Sequence, residues 1–229
     1  MRKDQSSAPV LVIGGGLAGL MTALTLAPQP VLLVTVGSLG LSGSSTLAQG
    51  GVAASLGTDD SPALHLADTL SAGDGLCDEA VAAEIVGAGA EAIAALEAHG
   101  VRFDRQPDGA FALGLEAAHS RRRIVHAEGD ATGAAIMRAL TAKVLATSSI
   151  TVMENTAALR LITRDGRVTG ACLAGVGPVA ARAVVLATGG MGGLYEATTV
   201  PLGNLGQGTA LAGRAGAMLA DMEFVQFHP

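Results

Sequence analysis

The chain has no tryptophan, one tyrosine and four phenylalanines. So few rings disfavour a stacking surface for unpaired bases. Positive charge is scarce too: 14 Lys and Arg face 20 Asp and Glu, and the one basic run is Arg121-Arg122-Arg123. Both facts disfavour a nucleic-acid partner. Cys77 and Cys172 are the two cysteines, with no C-x-x-C spacing. They fit a reducing, cytoplasmic setting and read as ordinary buried thiols. His65, His99, His119 and His126 show no metal-ligand spacing, and no G-x-S-x-G elbow is present. His99, at the end of an expected helix, reads as a partner for the helix dipole.

From Gln5 to Thr58 there is no charged residue. Within that span "VLVIGGGLAGLMTALTLA", residues 10–27, reaches the ~18 apolar residues of a membrane crossing. Three consecutive glycines and Pro28 argue instead for a buried strand, a tight turn and a helix, and for no membrane partner.

What is abundant is glycine, 32 residues of 229, about twice the usual ~7%. The glycines cluster at 14–19, 37–51, 189–193 and 203–216. They mark loops where backbone must come close to something. Val10–Gly14 reads as a buried parallel strand, Leu17–Ala27 as a helix and Pro30–Thr35 as a second strand, a βαβ unit. Residues 36–58 are too long for an ordinary connection and read as a functional loop. Ser61-Pro62 opens a helix to about Ala72, and Asp78 opens a helical region to His99, ended by Gly100. A hairpin is expected over 102–113, a helix from Asp130 or Thr132 to about Ala146, and a strand at Ile150–Met153. An antiparallel meander over 156–181, a strand at Ala183–Ala187 and a short helix over Gly206–Gly216 complete the α/β order. The closing "DMEFVQFHP", 221–229, alternates like a half-buried strand.

Gly14-Gly15-Gly16-Leu17-Ala18-Gly19 fits G-x-G-x-x-G between a strand and a helix, the context that dinucleotide binding requires. Gly14 permits the turn, Gly16 admits a pyrophosphate, and Gly19 lets helix and strand pack closely. The second strand ends Val34-Thr35-Val36, with no acid for a ribose. Ribose contact then falls to the Thr35 hydroxyl or to backbone groups. This argues against a freely exchanging NAD.

The loop "SGSSTLAQGG" at 42–51, with "ATGG" at 187–190 after a late strand, resembles the fumarate reductase/succinate dehydrogenase flavoprotein family. "TLAQGGVAA" at 46–54 and "LEAAHSRRRIVHAEGDATG" at 115–133 narrow the likeness to that family's L-aspartate-oxidising branch. "EFVQFHP" marks the broad family. The resemblance runs along nearly the whole chain. It implies a Rossmann-like FAD-binding domain over 1–221, with a parallel sheet and an inserted antiparallel β-meander, and 222–229 as the start of a substrate-capping domain.

The implied FAD contacts are Gly14, Gly15, Gly16, Leu17, Ala18 and Gly19; Val36; Ser44, Ser45, Thr46, Leu47, Ala48, Gln49, Gly50 and Gly51; Ala157 and Ala158; Thr188, Gly189 and Gly190; and Gln207. In respiratory relatives a histidine of the serine loop bonds covalently to the flavin. Ser44 occupies that place here, so the FAD is expected to be non-covalent. Glu116 matches the glutamate that orients the substrate ammonium, against the alternative of a solvated loop carboxylate. His228 matches a histidine that contacts a substrate carboxylate, and equally reads as an incidental histidine beside Pro229. Arg121–Arg123 either attract a dianion or form structural ion pairs; at least two read as structural.

The branch oxidises L-aspartate, a dicarboxylate, to iminoaspartate with oxygen or fumarate as electron acceptor. The product feeds quinolinate synthase in NAD synthesis. Its proton-transferring arginine lies in a capping domain beyond the F-H-P segment, and no arginine here occupies that place. The chain therefore reads as truncated and inactive alone. A fumarate/succinate flavoprotein and a non-catalytic flavin-binding fragment are the alternatives. Four positions depart from the family pattern: Val36 for a lysine, Ala117 and Ala118 for glycines, and Gln207 for an acid.

Overall fold

The structure, a computed structural model, describes residues 8–226. In chain order its first elements are β1 (Val10–Ile13), α1 (Leu17–Leu26), β2 (Val31–Val34), β3 (Val52–Ala53), α2 (Pro62–Ala72), α3 (Glu79–Gly87), α4 (Gly89–Ala98), β4 (Leu113–Gly114) and β5 (Ile124–Val125). There follow α5 (Thr132–Leu145), β6 (Ile150–Met153), β7 (Ala158–Arg164), β8 (Arg167–Leu173), β9 (Gly177–Ala180), β10 (Ala183–Leu186) and α6 (Gln207–Arg214). The chain divides into two compact units, Met1–Thr46 with Thr141–Pro229, and Leu47–Leu140.

The first unit is built on a parallel sheet of order β10-β1-β2-β6. Val10 lies opposite both Val31 and Ala183, and Val31 opposite Ile150. β1, β2 and β10 are unbroken apolar runs, β6 is interrupted by the exposed Thr151, and all four β1 residues are buried, as a strand covered on both faces requires. The meander β7-β8-β9 is antiparallel and covers the sheet through one cluster: Leu11, Ile13 and Val34 with Ala171, Leu173 and Ala181. This is the expected α/β fold with an inserted meander. The apolar run 10–27 is split between β1 and α1, and no helix among the described residues is long and apolar enough to cross a membrane.

In the second unit the helix starts are where the capping residues put them. Ser61 Oγ accepts from the Leu64 amide at 3.3 Å, and Asp78 Oδ1 from the Val81 amide at 3.0 Å. The helical region expected from Asp78 to His99 is made of two helices. The break falls at Ala88, which is flanked by Gly87 and Gly89. Each glycine weakens helix by about 1 kcal/mol relative to alanine, so the ladder parts there. Gly100, at φ +98°, closes α4. The expected hairpin over 102–113 reduces to one bridge, Arg105 with Phe111, whose ring lies 4.1 Å beneath the Arg105 guanidinium. A small sheet of order β3-β5-β4 forms from two-residue strands, too short to leave a periodic signal.

Three further expectations change. Residues 221–224 form a turn, closed by the Phe224 amide on the Asp221 carbonyl at 3.1 Å, and 225–226 are irregular, so no strand forms over 221–226. Alternation suits a strand only where a neighbouring edge is free to pair with it. The remainder of that stretch, 227–229 with His228, lies outside the described residues. Cys77 is exposed and Cys172 half-buried, so neither is the buried thiol expected; both are free.

A Cβ on Gly19 would stand 1.9 Å from the Gly14 carbonyl oxygen. Gly19→Ala should therefore destabilise the chain by about 1–3 kcal/mol, read as a lower urea midpoint at unchanged slope.

Candidate functional site

The dinucleotide turn is built by exclusion of side chains. A Cβ on Gly14 would lie 2.1 Å from the Ala187 oxygen, and Gly14 itself sits at φ +124°, where glycine is at ease. The end of β1, the end of β10 and the start of α1 thus meet backbone to backbone. Gly15 lies over Thr35, 5% exposed, with only 2.9 Å between the site of a Cβ and the hydroxyl oxygen. Gly16 is the N-cap of α1 and supplies no side-chain cap, and the first turn carries no acid. The first helical amides, those of Leu17, Ala18 and Gly19, have no partner within the helix. Ser45 takes the first: its Oγ accepts from the Leu17 amide at 3.1 Å.

The serine loop begins in this unit. Ser44–Leu47 form a 3-10 turn; Ser44, Ser45 and Thr46 are half-buried. Ser44 Oγ accepts from Asn204 Nδ2 at 2.7 Å. Val36 is 64% exposed just past β2. At the end of the neighbouring strand β6, Glu154 Oε1 accepts from the Leu39 amide at 2.6 Å. Ala157 gives its carbonyl to the Ala174 amide at 2.8 Å and Ala158 starts β7. Thr188 is packed against α6 so closely that a Cβ on Gly208 would be 1.9 Å from its hydroxyl. The Gly206 amide donates to the Gly190 carbonyl at 3.2 Å. Gln207 opens α6, and its Nε2 reaches back to the Gly203 carbonyl at 3.4 Å.

In the second unit, Leu47–Gly50 are exposed. The Ala48 carbonyl accepts from the Gly133 amide at the start of α5, 2.9 Å. Gly51 lies directly on β5, where a Cβ would be 2.3 Å from the Val125 oxygen. Glu116, exposed, brings its Oε1 to 3.5 Å from where Gly50 would carry a Cβ. So Glu116 and the Leu47–Gly51 segment share one surface.

The loop carrying Glu116 is anchored on buried charge. Arg123, fully buried, donates to both Asp60 oxygens at 2.8 and 2.9 Å and to Asp68 Oδ2 at 2.7 Å. The Ser120 amide and hydroxyl both donate to Asp68 Oδ2 at 2.8 Å. Arg123 Nη1 is also 3.2 Å from His119 Nδ1, which must accept there because a guanidinium only donates. Those Ser120 bonds, with Arg123 behind them, hold Asp68 down to about 2. Burial pushes the Asp60 carboxyl up, but Arg123 and the Ser61 amide outweigh it and leave it below its ordinary value. Burial, then the charge of Arg123, pushes His65 down. Arg121 pairs at the surface with Asp59, at 3.7 Å. Two of the three arginines are thus structural, and Arg122 stays exposed.

A family model described as "FAD binding domain" matches residues 9–229. The chain belongs to the FAD-binding domain family.

Its cofactor is accordingly FAD, and the residues of this FAD-binding domain fit it. The turn over Gly14–Gly19 closes only without side chains, the adjoining helix starts carry no acid that would repel a pyrophosphate, and Gly43 and Gly190 have open space where a side chain would stand. Among curated relatives, L-aspartate oxidase of Agrobacterium fabrum is 62% identical over 96% of this chain and 42% of its own length. That of Mesorhizobium japonicum is 60% identical over 97% of this chain and 44% of its own. The chain thus spans less than half the length of these relatives. Among solved structures, E. coli quinol fumarate reductase matches with TM-score 0.93 and 30% identity, covering 97% of this chain and 39% of that one. The Mycobacterium smegmatis Sdh1 complex matches with TM-score 0.90 and 32% identity, covering 97% and 41%.

Motif reading missed Asn204, Glu154 and the two aspartates around Arg123. Each acts through a partner at least 55 positions away, and a single sequence carries no sign of such pairings.

Two outcomes follow from this geometry. Asp68 falls from its ordinary 3.8 to about 2 on folding, so its contribution is complete above pH ~4 and lost as pH falls through ~2. Urea titrations between pH 5 and pH 2 should show that loss, and Asp68→Asn should flatten it. Ala118 sits at φ +67°, a conformation that costs a non-glycine residue about 1 kcal/mol. Ala118→Gly should therefore raise the urea midpoint.

Proposed function

We propose that this chain is the FAD-binding part of an L-aspartate oxidase. The observation that carries the reading is the place of Glu116, beside Gly50 of the serine loop, in a chain 62% identical to a relative of that name. A fumarate or succinate substrate has no cation to meet this carboxylate, whereas L-aspartate brings an ammonium. Bound FAD supplies a two-electron acceptor, and oxygen or fumarate takes the electrons onward.

The chain's own residues then have distinct tasks. The amides at the start of α1 meet the pyrophosphate, with the Gly14–Gly19 turn giving it room. Ser44–Gly51, Ala157-Ala158 and Thr188–Gly190 line the rest of the cofactor with small side chains and backbone. The Ser44 hydroxyl is not a nucleophile that would join a flavin, so the FAD is non-covalent. Glu116 binds the substrate ammonium and aligns the α-carbon for loss of hydride; His228 contacts a substrate carboxylate. L-Aspartate loses two electrons and two protons and leaves as iminoaspartate, the substrate expected of quinolinate synthase in NAD synthesis. The proton-transferring arginine that the resemblance implies is assigned to no residue of this chain.

Anaerobic mixing of the active enzyme with L-aspartate should bleach the visible absorbance of the flavin. Glu116→Gln should slow that step about 100-fold, within the range for losing a charged partner, and slow reoxidation by fumarate far less. Equal losses in the two half-reactions would refute the role of Glu116.

A further inference from the structure

Asn204 belongs to none of the motifs, yet it joins two of the loops assigned to the flavin. Its backbone is fixed at both ends: the amide donates to the Pro201 carbonyl and the carbonyl accepts from the Gly193 amide, each at 2.9 Å. Its side-chain Nδ2 donates to Ser44 Oγ at 2.7 Å, across 160 positions of sequence. The same carboxamide flanks Gly189, where a Cβ would lie 3.6 to 3.8 Å from its atoms. One side chain therefore bonds to the serine loop and stands beside the late glycine loop. All of these residues lie within the first unit.

The direction of the bond matters. A serine hydroxyl has one proton and two acceptor sites, while an amide NH2 only donates. Asn204 occupies an acceptor site of Ser44 and leaves the hydroxyl proton unused. Among the described residues Ser44 Oγ has no second partner. A half-buried hydroxyl proton without a partner costs free energy unless something takes it up. A ligand lying along the loop would do so.

We propose that Asn204 is a positioning residue for the cofactor. It orients Ser44 so that the hydroxyl donates to a polar atom of bound FAD, and it holds the serine loop beside Gly189. The proposal rests on the FAD reading of this fold. Asn204 acts through Ser44 and need not touch the flavin.

The test is a set of FAD titrations, followed by flavin fluorescence, of the parent chain, Ser44→Ala, Asn204→Ala, Asn204→Asp and the Ser44→Ala/Asn204→Ala pair. Each single variant should weaken FAD binding roughly tenfold, as expected for one hydrogen bond. The pair should be no weaker than Ser44→Ala alone, because both changes remove the same bond. Asn204→Asp should behave like Asn204→Ala, since a carboxylate claims the Ser44 proton for itself. In the flavin-free chain, Asn204→Ala should speed amide exchange over residues 42–47 while the urea midpoint stays near that of the parent. Losses that multiply in the paired variant would overturn the proposal, as would an Asn204→Ala chain that binds FAD as the parent does. A parent chain that binds no FAD would overturn the FAD reading, and this proposal with it.

Discussion

The close approach of Gly14 to Gly19 and to Ala187 is the contact on which the first unit depends. Oxygen atoms stand 1.9 and 2.1 Å from where these glycines would carry a Cβ. Only hydrogen fits. Because it fits, β1, β10 and α1 converge at one point, where the first amides of α1 have no partner within the helix. The parallel pairing of Ile13 with Val34 and Leu186 then fixes how far each strand runs before its loop begins. The serine loop is stapled onto this frame by two neutral hydrogen bonds, from Leu17 to Ser45 and from Asn204 to Ser44. No charge from Gln5 to Thr58 competes with a bound phosphate.

The second unit solves a similar problem with charge. Its exposed Glu116 stands on a loop whose far end is pinned to a buried arginine and two aspartates. Such a cluster adds little net stability over a well-packed apolar core, since desolvating the ions is expensive. What it supplies is register. Asp60 accepts on both oxygens from one guanidinium, and Asp68 accepts from Arg123 and twice from Ser120. Shifting this loop by one residue would strand a buried charge. His119 enters the same network through Nδ1 and is thereby held as the tautomer with its proton on Nε2, as long as the guanidinium donates to it. The Glu116 carbonyl in turn receives the His119 amide at 3.3 Å, so the carboxylate-bearing residue is tied directly to the anchored one.

Most of the first unit was legible in the sequence, for local reasons. Unbroken apolar runs, a glycine fingerprint and the turn at 164–166 each declare their element within a few residues. Caps did the same for α2 and α3. What stayed hidden is pairing at a distance. The two-residue strands β3, β4 and β5 have no period. The break at Ala88 is visible only once the glycines on both sides are weighed together. The alternation at 221–226 promised a strand but carried no information about a partner edge. In the site, the glycine and serine loops were readable as motifs, and the arginine run was readable as structural, while Asp60, Asp68, Glu154 and Asn204 were silent. Ala118 was visible only as a departure from the family pattern; its positive φ gives that departure a physical meaning.

In the proposed function, an uncharged, glycine-lined cradle would hold FAD without a covalent bond. Titration of the purified chain with FAD, followed by acid precipitation of the complex, tests this most directly. Saturable binding at one FAD per chain, with all of the flavin recovered in the supernatant after precipitation, is the predicted result. Failure to saturate, or flavin that remains with the precipitated polypeptide, would contradict it.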